Sequence, residues 1–182
     1  MIKKRTILIS GTGFLVRQKR GFQRWKFSGD NIMEIQQDFK ELLELLNRHN
    51  VEYIIVGAYA LAHYGAPRYT GDIDIYVKPS PENAERIISA LSDFGFGSLD
   101  LSSGDFCLPR RVIQLGIPPV RIDIITSISG VTWEEAYENK ISGSYGDVAV
   151  YFLGRNEYIA NKRATGRKKD IADLEAIGVD ID

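Results

Sequence analysis

The sequence predicts a mixed α/β domain in which one mixed β-sheet is flanked by helices. Runs of β-branched and aromatic residues, such as 51–56 and 72–77, alternate with segments whose apolar residues recur at helical spacing, such as 81–95. Hydrophobic residues make up 44% of the 182 positions and charged residues 26%, which is the balance of a globular protein with a buried core. No internal repeat or linker divides the chain, so we expect a single domain over 33–182.

The predicted elements of the first half follow this alternation. They are a helix over 32–47, a strand over 51–56, a short helix over 58–64, a strand over 72–77 and a helix over 81–95. The first helix carries apolar residues three and four positions apart. Gly65 and Pro67 end the short helix, and Pro79 and Pro81 end the strand that follows.

The second half continues with shorter segments. The expected elements are edge strands over 96–101, 105–109 and 110–117, a strand over 120–126, a helix over 132–140, a strand over 148–153 and a helical hairpin or bent helix over 156–177. Gly166 interrupts the last helical segment and accounts for its expected bend.

Basic side chains are concentrated at the start of the chain. Residues 1–29 hold eight of the 23 Lys and Arg residues and none of the 24 Asp and Glu residues, although the net charge of the chain is −1. Within this basic N-terminal arm, residues 1–32, the segment 1–29 could serve as a nucleic-acid-binding tail. The alternative is that Met33 is the natural start of the protein and that the arm is upstream or added sequence.

Composition excludes several kinds of site. The single Cys107 forms no internal disulfide and, with two His residues, cannot build a Cys/His zinc centre, so we expect a partly buried apolar side chain. No apolar run reaches the ~18 residues that span a membrane, so we expect a cytoplasmic protein without a membrane partner. The sequence GTGF at 11–14 lacks the third small residue of a dinucleotide-binding fingerprint.

Three Asp residues interrupt strands that are otherwise apolar. Asp72 and Asp74 are two residues apart, so their side chains project from one face of the expected strand, and Asp123 lies within the later strand. Burying such carboxylates unpaired is unfavourable. If the two strands are neighbours, the three carboxylates meet and suit two divalent cations such as Mg²⁺, as in phosphoryl transfer.

The turn before the first Asp pair offers groups that suit a phosphate. Gly57 and Ala58 stand where strand 51–56 passes into the short helix, whose first N–H groups, through Tyr59, have no partner within the helix. Small residues let a phosphate approach the backbone. Arg68 and Thr70 follow the helix and can add a cation and a hydroxyl group.

Together these residues resemble the signature of the DNA polymerase β-like nucleotidyltransferase superfamily. The chain matches its Gly-small pair with Gly57-Ala58, its two-carboxylate motif with Asp72-Ile73-Asp74-Ile75 and its distal carboxylate with Asp123. The segments RYTGDID and LGRNEYIANKRATGRKKDIADLEAI resemble the small bacterial members. Those members include minimal nucleotidyltransferases and abortive-infection-type toxins of toxin–antitoxin systems. The resemblance covers residues 34–177.

The resemblance implies a nucleotidyltransferase fold and a reaction. A nucleoside monophosphate would pass from a nucleoside triphosphate (NTP) to an acceptor hydroxyl, with release of pyrophosphate. Asp72 and Asp74 would bind two Mg²⁺ ions, and Asp123 would complete the second metal site and help to activate the hydroxyl. The acceptor stays open, because a protein, a tRNA end, an antibiotic hydroxyl and a metabolite are all compatible with this core.

The same resemblance implies how the triphosphate is held. Gly57 and the N–H groups after it would hold the β and γ phosphates, and Arg68 and Lys162 would neutralise their charge. For Lys162 and Arg167 the alternative is a solvated basic helix face. Asp170 is expected to be a salt-bridge partner within that basic stretch.

One residue departs from the family pattern and motivates a second hypothesis. Ala58 keeps the backbone N–H but lacks the hydroxyl of the Ser that the pattern allows. The alternative function is therefore a catalytically degenerate relative that acts through a partner protein, such as a toxin–antitoxin component. His63 is expected to be packed or exposed rather than a base. Four aromatic side chains are expected in the core rather than stacked on a nucleobase: Trp133, Tyr145, Tyr151 and Tyr158.

Overall fold

The computed structural model describes residues 3–7, 23–26 and 32–180, and within these ranges it contains nine strands and seven α-helices. The strands are β1 (Lys3–Ile7), β2 (Gln23–Lys26), β3 (Ile32–Ile35), β4 (Tyr53–Val56), β5 (Asp72–Val77), β6 (Arg111–Leu115), β7 (Arg121–Ile125), β8 (Ile141–Tyr145) and β9 (Val148–Phe152). The helices are α1 (Gln37–Arg48), α2 (Gly57–His63), α3 (Pro81–Leu91), α4 (Ser103–Cys107), α5 (Trp133–Glu138), α6 (Arg155–Thr165) and α7 (Lys168–Ala176). A π-helical turn, Ser92–Phe96, continues from α3.

Six strands from residues 53–152 form one mixed sheet, and β1 adds to its edge. The order is β1-β6-β7-β5-β4-β9-β8, with β1 parallel to β6. Strand β5 lies in the middle, antiparallel to β4 and parallel to β7. Strands β2 and β3 form a separate antiparallel pair. The expected mixed sheet flanked by helices is therefore confirmed.

One face of the central strands is apolar and fixes their register. Ile73, Ile75, Ile122 and Ile124 are all fully buried, and each such side chain contributes roughly 1.5–3 kcal/mol when removed from water. A slip of one residue would exchange the two faces of a strand and bury its acidic positions instead. The same alternation that builds the core therefore presents the Asp residues on the opposite face of the sheet.

The helix ends follow local capping rules. The Ser80 hydroxyl accepts a hydrogen bond from the Asn83 N–H at 3.3 Å, and Pro81 occupies the first turn of α3. Gly166 ends α6 with φ +60°, a left-handed conformation that favours glycine. Helix α7 then folds back onto α6, so the expected helical hairpin is confirmed.

The expected start of the first helix is wrong. Ile32–Ile35 is a strand paired with Gln23–Lys26, and helix α1 begins at Gln37. The apolar periodicity of α1 is visible in the sequence, whereas pairing with a distant segment decides the conformation of the four residues before it.

Two of the expected edge strands are also wrong. Most of 105–109 lies in helix α4, which begins with a capping box formed by Ser102 and Asp105. Residues 96–101 form no strand: Phe96 ends the π-helical turn, in which Gly95 has φ +107°, and turns and irregular structure follow. The segment 110–117 does contain a strand, β6.

The GTGF sequence at 11–14 and most of the basic arm lie outside the described residues. Whether the arm binds nucleic acid or is native therefore stays a prediction. None of the described helices combines the length and the apolar character that a membrane-spanning helix needs.

Candidate active site

The parallel pairing of β5 with β7 brings the three predicted carboxylates together. Asp74 lies directly beside Asp123 in the sheet register, and Asp72 lies beside Arg121. Residues two apart in a strand share a face, so all four side chains project from the same side of the sheet. This is the convergence that the sequence predicts on the condition that the two strands are neighbours.

A cavity of about 310 Å³ lies over this face. It is lined by eight of the nine predicted site residues: Gly57, Ala58, Arg68, Thr70, Asp72, Asp74, Asp123 and Lys162. The ninth, Tyr59, turns its side chain into the core, where its ring packs edge-on against Phe39 and Tyr145. In the described structure, Tyr59 can therefore contact a ligand in the cavity only through its backbone.

Gly57, the first residue of α2, is in close contact with Asp74 of β5. Gly57 has φ +66°, and a Cβ atom built there would overlap the Asp74 Oδ2 and lie 2.9 Å from its Cγ. A side chain at position 57 is therefore disfavoured both by the backbone conformation and by the carboxylate beside it. This requirement for glycine is separate from any contact with a phosphate.

Asp74 carries an uncompensated charge. Burial, together with the neighbouring charges of Asp72 and Asp123, raises the pKa of Asp74 to about 6. Among the described residues, none donates a hydrogen bond to this carboxylate or forms an ion pair with it. The charges of Lys162 and Lys169 act on it from a distance and partly oppose the shift.

Asp72 and Asp123, by contrast, are neutralised by Arg121. The Arg121 Nε donates to Asp123 Oδ1 at 2.8 Å, and its Nη2 donates to Asp123 Oδ2 at 3.1 Å and also to Asp72 Oδ2. Gln114 Nε2 donates to both oxygens of Asp123, at 3.2 and 3.1 Å, and the Thr70 hydroxyl donates to Asp72 Oδ1. One guanidinium thus bridges two of the three acids.

The chemistry of this donor set fits a hard divalent cation. Asp74 is a partly buried acid without a partner among the described residues, next to two further carboxylates, and carboxylate oxygens are the ligands that Mg²⁺ prefers. With Arg121 between Asp72 and Asp123, however, no three acidic, imidazole or thiol groups of the described residues are arranged to hold a metal ion. The three residues are suitable ligands, and two of them, Asp72 and Asp123, are paired with the guanidinium of Arg121.

The two cations predicted to bind the triphosphate are paired with acids of α7. The Lys162 ammonium is buried and donates to Asp170 at 2.8 Å and to Asp173 at 2.7 Å. Arg68 donates from Nε to Asp173 Oδ1 at 2.7 Å and from Nη2 to Oδ2 at 3.2 Å. The alternative of a solvated helix face is therefore wrong for Lys162, while Arg167 is largely exposed and pairs with Asp170.

Asp170 is a structural ion-pair partner, as predicted. Its carboxylate is fully buried and accepts hydrogen bonds from Arg167, Lys162 and Thr165. Burial opposes ionisation, but these donors hold the pKa of Asp170 well below its usual value. The carboxylate stays charged and joins α6 to α7.

Sequence reasoning missed Lys169, which is the second residue of α7 and lines the cavity. In the described part of the chain, no hydrogen bond or ion pair engages its ammonium, so it is a cation that an anionic ligand could recruit. The sequence does not distinguish Lys169 from Lys168 as a candidate for ligand binding, because both precede Asp170 in the same basic stretch. Ser127, Ser129 and Asn161 also line the cavity without any motif that marks them.

The remaining predicted side chains are packed as expected, with one exception. His63 stacks on Phe152 with ring centroids 4.5 Å apart, and burial lowers its pKa. Cys107 is partly buried against the core. Trp133, Tyr145 and Tyr158 are buried, whereas Tyr151 is 44% exposed.

Comparison with known proteins gives a family and a fold. Residues 30–180 match the family described as nucleotidyltransferase of unknown function (DUF6036). A solved structure with a similar fold is the crystal structure, at 1.87 Å resolution, of a candidate nucleotidyltransferase from Thermotoga maritima. The two are 16% identical, the match covers 76% of this chain and 89% of that one, and the TM-score is 0.51. No curated protein matches the sequence significantly.

Proposed function

The chain belongs to the DUF6036 family of nucleotidyltransferases, and from that premise we propose that it transfers a nucleoside monophosphate from an NTP to an acceptor hydroxyl. The observation that carries the proposal is the Asp74 carboxylate, which has no partner among the described residues and lies beside Asp72 and Asp123 in a cavity that Gly57 also lines. A buried carboxylate without a paired charge is unfavourable, and a bound cation would remove that penalty.

In the proposed reaction, the acceptor oxygen attacks the α-phosphorus of the NTP. The bond from that phosphorus to the oxygen shared with the β-phosphate breaks, and pyrophosphate leaves with the bonding electrons. Two Mg²⁺ ions held by Asp72, Asp74 and Asp123 would supply positive charge to the attacking and leaving oxygens. Asp123, on the adjoining strand, is the candidate for accepting the proton of the acceptor hydroxyl.

The phosphates are proposed to lie between Gly57 and the hairpin of α6 and α7. The first backbone N–H groups of α2 are donors at one side of the cavity. Lys169 supplies a cation at the other side, and the buried Lys162 adds positive potential because its charge acts on Asp74. Arg68 is held in two hydrogen bonds by Asp173, which favours a role in fixing the hairpin over direct phosphate binding.

Calorimetric titration of each NTP with and without Mg²⁺ tests this proposal. We expect Mg²⁺-dependent binding by the wild type, its loss in Asp74→Asn, and several-fold weaker binding in Lys169→Gln. Lys168→Gln is the matched control, because Lys168 is an exposed neighbour that does not line the cavity. Failure of every NTP to bind to folded protein in the presence of Mg²⁺ would reject the proposal.

Transfer itself can be followed with α-³²P-labelled NTP and candidate acceptors of each class. Label should move to protein, RNA or a small molecule only with a divalent cation present. Asp72→Asn and Asp123→Asn should abolish that transfer, and circular dichroism should show that both variants remain folded.

A second candidate function is binding to a partner protein without catalysis. Two observations favour it: Ala58 replaces the usual Gly or Ser, and Arg121 already neutralises two of the three acids. This candidate predicts that a stoichiometric partner co-purifies from the native host and that Asp72→Asn leaves the complex intact. Loss of the complex in that variant would count against it.

A further inference from the structure

Arg121 holds the two acids that a metal ion would need. Its guanidinium contacts three of the four carboxylate oxygens of Asp72 and Asp123, while the neighbouring Asp74 has no partner among the described residues. Resting on the proposed function, we infer that Arg121 couples metal binding to nucleotide binding by exchanging carboxylates for phosphates.

The metal ion and the guanidinium compete for the same oxygens. Asp123 is about nine-tenths buried and Asp72 about three-quarters buried, so the like charges of Mg²⁺ and Arg121 would face each other with little water between them. A metal ion that binds all three acids therefore has to displace the guanidinium. Binding of the metal alone includes the loss of these charge-assisted hydrogen bonds, which are among the stronger ones in proteins.

A nucleotide gives the displaced guanidinium new partners. Arg121 lines the same cavity as Gly57 and Lys169, where the phosphates are proposed to lie. A guanidinium binds phosphate oxygens in the same forked geometry that it uses for carboxylates. With the nucleotide present, the guanidinium that the metal ion displaces binds a phosphate group instead of remaining unpaired.

This exchange makes the two ligands interdependent. The nucleotide strengthens metal binding and, by thermodynamic reciprocity, the metal strengthens nucleotide binding by the same factor. If Arg121 competes with the metal ion, its removal strengthens metal binding in the absence of nucleotide. If Arg121 only ties β5 to β7, its removal would loosen the two strands and leave the metal affinity unchanged or weaker.

Titration with Mn²⁺ in the absence of nucleotide, read by the electron paramagnetic resonance signal of free Mn²⁺, separates these alternatives. We expect Arg121→Gln to bind Mn²⁺ at least tenfold more tightly than the wild type. Arg121→Lys should lie between them, because an ammonium lacks the fork that spans both acids. The double variant Arg121→Gln with Asp74→Asn should lose the tight binding, which locates it at this site.

The coupling is read by repeating the titration with a non-hydrolysable NTP analogue. The analogue should tighten Mn²⁺ binding by a larger factor in the wild type than in Arg121→Gln, after correction for Mn²⁺ held by the free analogue. Equal or weaker nucleotide-free binding in Arg121→Gln overturns the inference and leaves the proposed function standing if the analogue still binds. Absence of Mn²⁺ binding in every variant, with and without the analogue, overturns both. Should Arg121→Gln fail to fold, Arg121→Lys against the wild type decides.

Discussion

The contact between Gly57 and Asp74 yields a prediction whose size follows from the structure. Gly57→Ala introduces two separate penalties. The first is the left-handed backbone at φ +66°, which disfavours an L-residue by about 1–2 kcal/mol. The second is the overlap of the new Cβ with the Asp74 carboxylate, which must leave its position or its rotamer, at about 0.5–1.5 kcal/mol. The expected loss of stability is therefore about 1.5–3.5 kcal/mol.

A double-mutant cycle with Asp74→Ala isolates the second penalty. That substitution removes the Oδ2 and Cγ atoms and leaves only the Cβ of residue 74, 3.2 Å from the added methyl group. Gly57→Ala should then destabilise the protein by about 1–2 kcal/mol, mainly through the backbone, since the remaining contact between the two Cβ atoms needs a shift of only a few tenths of an ångström. The coupling energy between the two positions should equal the difference, about 0.5–1.5 kcal/mol.

Urea unfolding of the four proteins in EDTA at pH 7 measures this coupling. Gly65→Ala serves as the control, because Gly65 has φ +87° but no atom within 4 Å of its added Cβ. Its effect should match that of Gly57→Ala in the Asp74→Ala background. Strictly additive effects of Gly57→Ala and Asp74→Ala would show that the carboxylate does not lie against residue 57 and would refute the reasoning.

Three further predictions concern charge. Asp74→Asn should stabilise the metal-free protein by up to about 3 kcal/mol at pH 8, because the pKa of Asp74 is about 6 in the folded chain and 3.8 in the unfolded chain, which makes the ionised acid unfavourable in the folded protein. The gain should vanish below about pH 4. Urea unfolding at both pH values measures it, and no gain, or a loss, at pH 8 would contradict the prediction. Lys162→Met should destabilise by about 3 kcal/mol at pH 7, because it removes a buried charge partner from two buried carboxylates, although Asp170 keeps Arg167 and Asp173 keeps Arg68. Because the pKa values of Asp170 and Asp173 are lowered by folding, their stabilising contribution is present above about pH 4 and lost as pH falls, so the destabilisation should shrink in acid; an equal loss at pH 3 and pH 7 would contradict this. Burial lowers the pKa of His63, so the unfolded chain binds this proton at higher pH than the folded chain does, and the contribution of His63 to stability should fall between pH 7 and 5. Asp74 acts in the opposite direction over this range, so the test compares melting temperatures at the two pH values: His63→Gln should gain stability relative to the wild type as pH falls, and an unchanged difference would contradict this.

Much of the fold could be predicted because its signals are local. The alternation of Ile73 and Ile75 with Asp72 and Asp74 identifies a strand with one apolar and one acidic face without any knowledge of its neighbours. The helices over 81–91 and 155–176 likewise follow from apolar spacing and from Gly166.

The pairing partners within the site could not be predicted, because they depend on register and on distant contacts. The spacing in RIDII puts Arg121 on the face of Asp123, but its bond to Asp72 requires β5 and β7 to be parallel neighbours in one particular register. The bond from Arg68 to Asp173 joins residues 105 positions apart. The cations that look available in the sequence are therefore engaged, and Lys169, which carries no motif, is the one left facing the cavity in the described structure.

The Arg68–Asp173 contact also has a mechanical consequence. It fastens the connection over 64–71, which lacks regular structure, to helix α7 at the far end of the chain. The same connection carries Thr70, whose hydroxyl holds Asp72. Two side chains, Arg68 and Thr70, therefore link the helical hairpin to Asp72, the first acid of the site. Asp173→Asn, which weakens this link, should accordingly speed up amide hydrogen exchange both in α7 and at residues 64–66 relative to the wild type.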